Sequence, residues 1–168
     1  RVFITGGGSG IGASIVEHFC EQECEVYFVD INIKESKKLI SHLKKKKIKA
    51  PHFIECNLLK IKKLENIIKK IIKSKGPIDI LINNAANDDR HSTKQVDEKY
   101  WNNRMDVNLK HFFFTIKAVL KGMIQKKSGA IVNLSSVSWM LGEGDKVAYE
   151  TAKSAVIGLT RSCLLYTS

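Results

Sequence analysis

The sequence predicts an α/β chain in which a parallel sheet is wound on both faces by helices. Two observations carry that expectation. Short apolar runs alternate with segments of helical period along the whole chain. The first run also enters a glycine-rich turn that opens straight into an amphipathic helix.

The elements follow in order. Strands are expected near 1–5, 25–30, 52–56, 78–83 and 129–135, and helices near 10–22, 34–47, 61–74, 97–126 and 147–163. Val2-Phe3-Ile4-Thr5 is a short apolar strand, and Gly6-Gly7-Gly8-Ser9-Gly10-Ile11-Gly12 is the turn. Ile11, Ile15, Val16 and Phe19 then mark one face of a helix. Glycines allow a sharp turn and close approach to a pyrophosphate, while free N–H groups at the helix start face negative charge. Val26-Tyr27-Phe28-Val29 ends in Asp30, eighteen residues after Gly12, where a carboxylate can accept from an adenosine ribose. In the third helix Ile61, Leu64, Ile67, Ile68, Ile71 and Ile72 form one apolar stripe, with lysines on the remaining face. Gly76-Pro77 stops that helix before the buried-strand run Ile78-Asp79-Ile80-Leu81-Ile82.

Near the other end stands Tyr149-Glu150-Thr151-Ala152-Lys153, with Ser136 thirteen positions upstream. Residues four apart share a helix face. An ammonium one turn from a phenol stabilises the phenolate and suits that tyrosine to act as a base. A serine hydroxyl nearby could hold the oxygen whose proton it takes.

These motifs together resemble the short-chain dehydrogenase/reductases, from residue 1 to about 161. The family's T-G-x-x-x-G-x-G stands as Thr5 to Gly12. Its N-N-A-G stands as Asn83-Asn84-Ala85-Ala86, with alanine in the last place, and its asparagine as Asn108. Its serine, tyrosine and lysine stand as Ser136, Tyr149 and Lys153. Within the family, Asn83 to His91, Tyr100-Trp101, Ser136 to Trp139 and Tyr149 to Lys153 look like the bacterial sugar dehydrogenases.

The resemblance implies a Rossmann sheet of order 3-2-1-4-5, without the family's C-terminal strands. It implies one dinucleotide-binding and catalytic domain over 1–168. Tyr149 would be the general base for alcohol oxidation, and Lys153 would support it and bind the nicotinamide ribose. Ser136 would bond the reacting oxygen, and Asn108 would hold a water linking Lys153 to solvent. Gly6, Ser9, Gly10, Ile11, Gly12, Asp30, Asn57, Leu58, Asn84 and Ala85, with Tyr149 and Lys153, would contact the cofactor. That cofactor is expected to be NAD, because Asp30 repels the extra phosphate of NADP and no Lys or Arg stands at Gly7, Gly8, Ser9, Ile31 or Asn32 to offset it. Asn57 stands where the family usually has aspartate. It is either an adenine contact or a simple turn residue.

Asn87, Ser136, Trp139, Glu143 and Tyr149 are the expected substrate contacts, with Trp139, Met140 and Glu143 on a loop after the fifth strand. Trp139 would either stack on a sugar ring or fill the core, and Asn87 to His91 would either face substrate or form a self-bonded polar turn. The expected activity is NAD-dependent oxidation of an aldose at C1 to the lactone. A 3-oxoacyl reductase is the alternative within the family, and a non-catalytic basic binding module is the alternative outside it.

The net charge of +11 rests mainly on lysine, with four arginines and no interleaved aromatic platform. That disfavours nucleic acid as a partner. No apolar run reaches the ~20 residues that a membrane crossing needs. Cys20, Cys24, Cys56 and Cys163 lack metal-ligand spacing, so no metal is expected; Cys20 and Cys24 should share a helix face as buried hydrophobes. A cytoplasmic, reducing location is the matching expectation. The family implies a homo-oligomer, commonly a tetramer. The chain reads as a fragment that stops inside its last helix, and residues 162–168 look like foreign sequence.

Overall fold

A computed structural model describes residues 1–164. Their order is β1 (Val2–Thr5), α1 (Gly10–Glu21), β2 (Val26–Asp30), α2 (Ile33–Lys45), β3 (His52–Glu55), α3 (Ile61–Lys75) and β4 (Ile80–Asn83). A 3-10 turn (Thr93–Gln95), α4 (Glu98–Met105), a π-helical turn (Asp106–Lys110) and α5 (His111–Lys126) follow. β5 (Ala130–Asn133), α6 (Ser138–Leu141) and α7 (Val147–Leu164) complete the series.

The five strands are parallel, in the order β3-β2-β1-β4-β5. Their side chains alternate between two cores, as a pleated strand requires. Val2, Ile4, Val26, Phe28 and Ile82 point to the face covered by α1 and α2, where Val16, Cys20 and Leu43 meet them. Phe3, Tyr27, Val29 and Leu81 point the other way, onto Leu64, Ile68 and Ile71 of α3 and Ile116, Val119 and Met123 of α5. With apolar layers on both faces, the central strands β1, β2 and β4 are buried although only four or five residues long, whereas the flanking strands β3 and β5 are partly exposed.

Register aligns the carboxyl ends of the strands. Thr5 pairs with Val29 on one side and with Asn83 on the other, and Asn83 pairs with Asn133. The chain therefore leaves β1 toward β2 and leaves β4 toward β5, and a crevice opens between the ends of β1 and β4. β5 has β4 as its one strand partner among the described residues.

Two expectations need correction and one refinement. The helix expected over 97–126 runs from Glu98 to Lys126 without leaving helical geometry, and within it a wider π turn at Asp106–Lys110 takes in an extra residue and carries the buried Asn108. Trp139 and Met140 lie in the short helix α6 rather than on a loop. Cys24 lies beyond the end of α1, so it does not share a helix face with Cys20. Of the tail 162–168, Ser162 to Leu164 continue α7, and 165–168 lie outside the described residues.

The exposed lysines of α2 and α3 stand on opposite faces of the sheet. Among the described residues no helix is long and apolar enough to cross a membrane, and no three His, Cys, Asp or Glu side chains gather as metal ligands.

Candidate active site

The crevice is a cleft of about 680 Å³, a volume suited to a small ligand or cofactor. The turn at Gly6 to Gly12 forms one wall and Asn84 to Asp88 another. Asp30 and Asn57 close one end, and Asn103, Val107 and Tyr149 line the other.

The glycine wall depends on absent side chains. Gly6 has φ +67 and lies so close to the next strand end that a Cβ would stand 2.7 Å from the Cα of Ala85. A Cβ on Gly12 would run into the carbonyl oxygen of Gly6 and stand 2.6 Å from Nδ2 of Asn84. Asn84 bridges the two strands, since its Nδ2 donates to the carbonyls of Thr5 at 3.1 Å and Gly6 at 2.9 Å. Thr5 completes the joint: its Oγ1 accepts from the backbone N–H of Asn84 and of Ala85, each at 3.1 Å.

At the start of α1 Ser9 makes no side-chain cap, so the first N–H groups of the helix are unspent beside the cleft. Gly10, at φ +52, has open space where a Cβ would stand. This arrangement fits the pyrophosphate of a dinucleotide. Asp30 braces the turn, because its Oδ2 accepts from the Gly8 N–H and its Oδ1 from the Asn32 N–H, both at 2.8 Å. Each carboxylate oxygen keeps a lone pair for a further donor. Asn57 behaves as a turn residue, its Oδ1 accepting from Leu59 N–H at 3.0 Å, while still lining the cleft with Leu58.

At the opposite end Tyr149 lines the cleft from the first turns of α7. Lys153, one turn later, is only 2% exposed. Its Nζ lies 5.7 Å from the centre of the Tyr149 ring and 5.2 Å from that of Phe112, and donates to the carbonyl of Leu134 at 2.7 Å. Burial pushes its pKa down to about 8, against the opposing pull of the Asp88 carboxylate. Ser135 fastens the same helix to β5's end, donating from Oγ to the Lys153 carbonyl at 2.6 Å.

Ser136 is half-buried, with its Oγ 2.8 Å from the Ser138 hydroxyl. Asn108 is buried and clasps one residue: its Oδ1 accepts from the Asn87 N–H at 2.7 Å and its Nδ2 donates to the Asn87 carbonyl at 3.0 Å. Under the Gly turn, fully buried His111 lies 3.5 Å from Thr5 Oγ1. Burial first, then the charge of Lys153, lowers its pKa to about 3, so it is neutral.

The expected substrate residues are less united. Asn87 and Tyr149 line the cleft, but Ser136, Trp139 and Glu143 are not among its lining residues. Trp139 is half-buried in α6, and Glu143 is exposed and ion-paired with Lys146 at 2.8 Å. The Asn87–His91 stretch does bond to itself: Asn87 Oδ1 accepts from Asp89 N–H at 2.9 Å. Asp88, within the Asn87–His91 stretch, lines the cleft, whereas Thr5, Asn103 and His111 are not among the sequence-expected site residues. The threonine of T-G-x-x-x-G-x-G was the available signal for Thr5; nothing local in the sequence marks the others.

A family model described as short chain dehydrogenase matches residues 1–165. The chain belongs to the short chain dehydrogenase family. Among members of that family, it is 43% identical over 162 residues to a D-xylose 1-dehydrogenase of Caulobacter vibrioides, covering 96% of this chain and 63% of that protein. It is 40% identical over 161 residues to a probable galactose dehydrogenase of Rhizobium meliloti, with 96% and 63% covered. The chain thus spans about 63% of the length of these curated relatives. A solved actinorhodin polyketide ketoreductase variant with NADPH superimposes with a TM-score of 0.90 at 25% identity, over 99% of this chain and 65% of that one.

Proposed function

We propose that this chain is the dinucleotide-binding and catalytic domain of an NAD-dependent oxidoreductase that oxidises C1 of an aldose to the lactone. The observation that carries the proposal is the meeting, in one cleft, of an unspent helix start at Ser9–Gly12 with Tyr149, whose near neighbour is the buried ammonium of Lys153.

Gly6, Ser9, Gly10, Ile11 and Gly12 would hold the pyrophosphate, and Asp30 the adenosine ribose. Leu58, Asn57, Asn84 and Ala85 would flank the nucleotide. When bound, the nicotinamide supplies the hydride acceptor. Tyr149, held as the phenolate that the Lys153 ammonium stabilises, would take the proton of the C1 hydroxyl as the hydride leaves C1 and become neutral. Ser136 would orient the reacting oxygen, and Asn108 would hold a water linking Lys153 to solvent while its side chain fixes the Asn87 backbone.

NAD is favoured over NADP because the carboxylate of Asp30 is fixed by two N–H groups at the ribose end of the cleft. A sugar is favoured over an acyl chain because Asn87, Asp88 and Asn103 line the cleft beside Tyr149, and because the two sugar dehydrogenases share 40–43% of their aligned residues with it. Metal takes no part in this scheme, and neither nucleic acid nor membrane is a partner. A cytoplasmic homo-oligomer, tetrameric as in much of the family, is the proposed setting.

The test is a panel of pentoses, hexoses and 3-oxoacyl thioesters with each nucleotide, read by absorbance of the reduced cofactor. Turnover of an aldose with NAD is expected. Activity on acyl ketones with none on sugars would replace the substrate assignment by the 3-oxoacyl reductase.

A further inference from the structure

The segment Asn87 to His91 runs as a strap between two parts of the site. At its start, Asn108 of the π turn grips both backbone groups of Asn87. At its end, His91 N–H donates to the Asp145 carbonyl at 2.6 Å. Asp145 is held at φ +52, a costly conformation for a non-glycine residue, so the joint is constrained by its surroundings.

The His91 ring continues the connection. Ala148 N–H, one of the amides that a helix start leaves without an intrahelical partner, points to His91 Nε2 at 3.5 Å. Nε2 is then an acceptor, and the ring proton sits on Nδ1, which faces the Asp89 carbonyl at 3.0 Å and the Tyr100 hydroxyl at 2.8 Å. The imidazole packs on Tyr100 with ring centres 4.7 Å apart. Arg104 covers the other partners, its guanidinium 4.7 Å from the Tyr100 ring centre and 3.2 Å from the Asp89 carboxylate. Ala148 directly precedes Tyr149.

We infer that His91 is a positioning residue: it caps the start of α7 from outside and fixes Tyr149 relative to the strap that begins at Asn87. The inference rests on the proposed role of Tyr149, but the clasp itself can be tested without chemistry.

Two variants separate the outcomes. His91→Phe keeps an aromatic ring on Tyr100 and removes both nitrogens, whereas His91→Gln restores an acceptor and a donor. Hydrogen exchange at the Ala148 amide should be faster in His91→Phe by about tenfold and partly restored in His91→Gln. Turnover should fall by roughly 10–100-fold in His91→Phe, with the NAD dissociation constant within about twofold of wild type and partial recovery in His91→Gln. Unchanged exchange at Ala148 would overturn the clasp whatever the enzyme's activity. Faster exchange with unchanged turnover would overturn the positioning role. Equal losses of turnover and NAD affinity in both variants would also overturn it, reducing His91 to general support of the fold. A wild-type protein without turnover would count against the oxidoreductase reading, and the exchange arm would still decide the clasp.

Discussion

The two ends of the cleft are built by opposite means. The nucleotide end is made from missing side chains: Gly6 and Gly12 let backbone approach backbone, and Thr5 and Asn84 lock the two strand ends together. The tyrosine end is made from side chains that reach into loops: Asn108 to Asn87, His91 to the start of α7, and Lys153 to the Leu134 carbonyl. The first end tolerates no added atom at Gly6 or Gly12. The second tolerates atoms but depends on each polar partner, so changes there should affect chemistry more than folding.

Tyr149→Phe tests the division most severely. It should lower turnover by about 10²–10⁴-fold while NAD affinity and melting temperature stay near wild type. A large fall in stability would show that Tyr149 supports the fold.

Within the glycine wall the contrast is steric. Gly12→Ala should destabilise by about 3 kcal/mol or abolish folding, because the added carbon meets the Gly6 carbonyl. Gly10→Ala should cost about 1–2 kcal/mol, since it has open space and only its left-handed backbone resists. Urea unfolding of the two variants checks both, and equal losses would break the steric account.

Lys153 sharpens the comparison because its burial opposes stability. Its folded pKa is about 8 against an ordinary 10.5. Below pH 8 the ammonium is charged in both states and carries its full burial penalty. Between pH 8 and 10.5 the unfolded chain binds the extra proton, so this group's contribution to stability rises with pH. Lys153→Met should therefore abolish turnover yet stabilise the protein by about 1–3 kcal/mol at pH 7, less whatever the lost bond to Leu134 contributed. A lower melting temperature in Lys153→Met would contradict this.

His111 shows the same sign of dependence as Lys153, moved to low pH. It remains neutral in the folded state down to about pH 3, while an unfolded histidine takes up a proton near 6.5. Its contribution is complete above pH 6.5 and is lost as pH falls from there, at up to about 1.4 kcal/mol per pH unit. His111→Gln should flatten the stability profile between pH 6 and 4, as measured by urea midpoints.

The division also explains what could be read from the sequence. The alternation of strands and helices, the Gly6–Gly12 turn and the apolar stripe of α3 follow from local patterns: short apolar runs, a period of 3.6, and glycines where no Cβ fits, whereas the order of the sheet is what the family resemblance implies. The π turn at Asp106–Lys110 has no such signature, and its Asn108 bonds to the backbone of Asn87 in a different part of the chain. His91 and Ala148 are far apart in sequence, as are Thr5 and His111, so neither pairing leaves a periodic trace. Glu143 pairs with Lys146 and is not among the cleft-lining residues, a placement that no local sequence pattern marks.

Transfer of label from C1 of the sugar tests the central claim most directly. An aldose carrying deuterium at C1 is incubated with the protein and NAD, and the nucleotide is examined by mass spectrometry. The account predicts reduced nucleotide one mass unit heavier, formed at a rate that collapses in Tyr149→Phe. Reduced nucleotide without the label, or no reduction by any aldose tested, would contradict it.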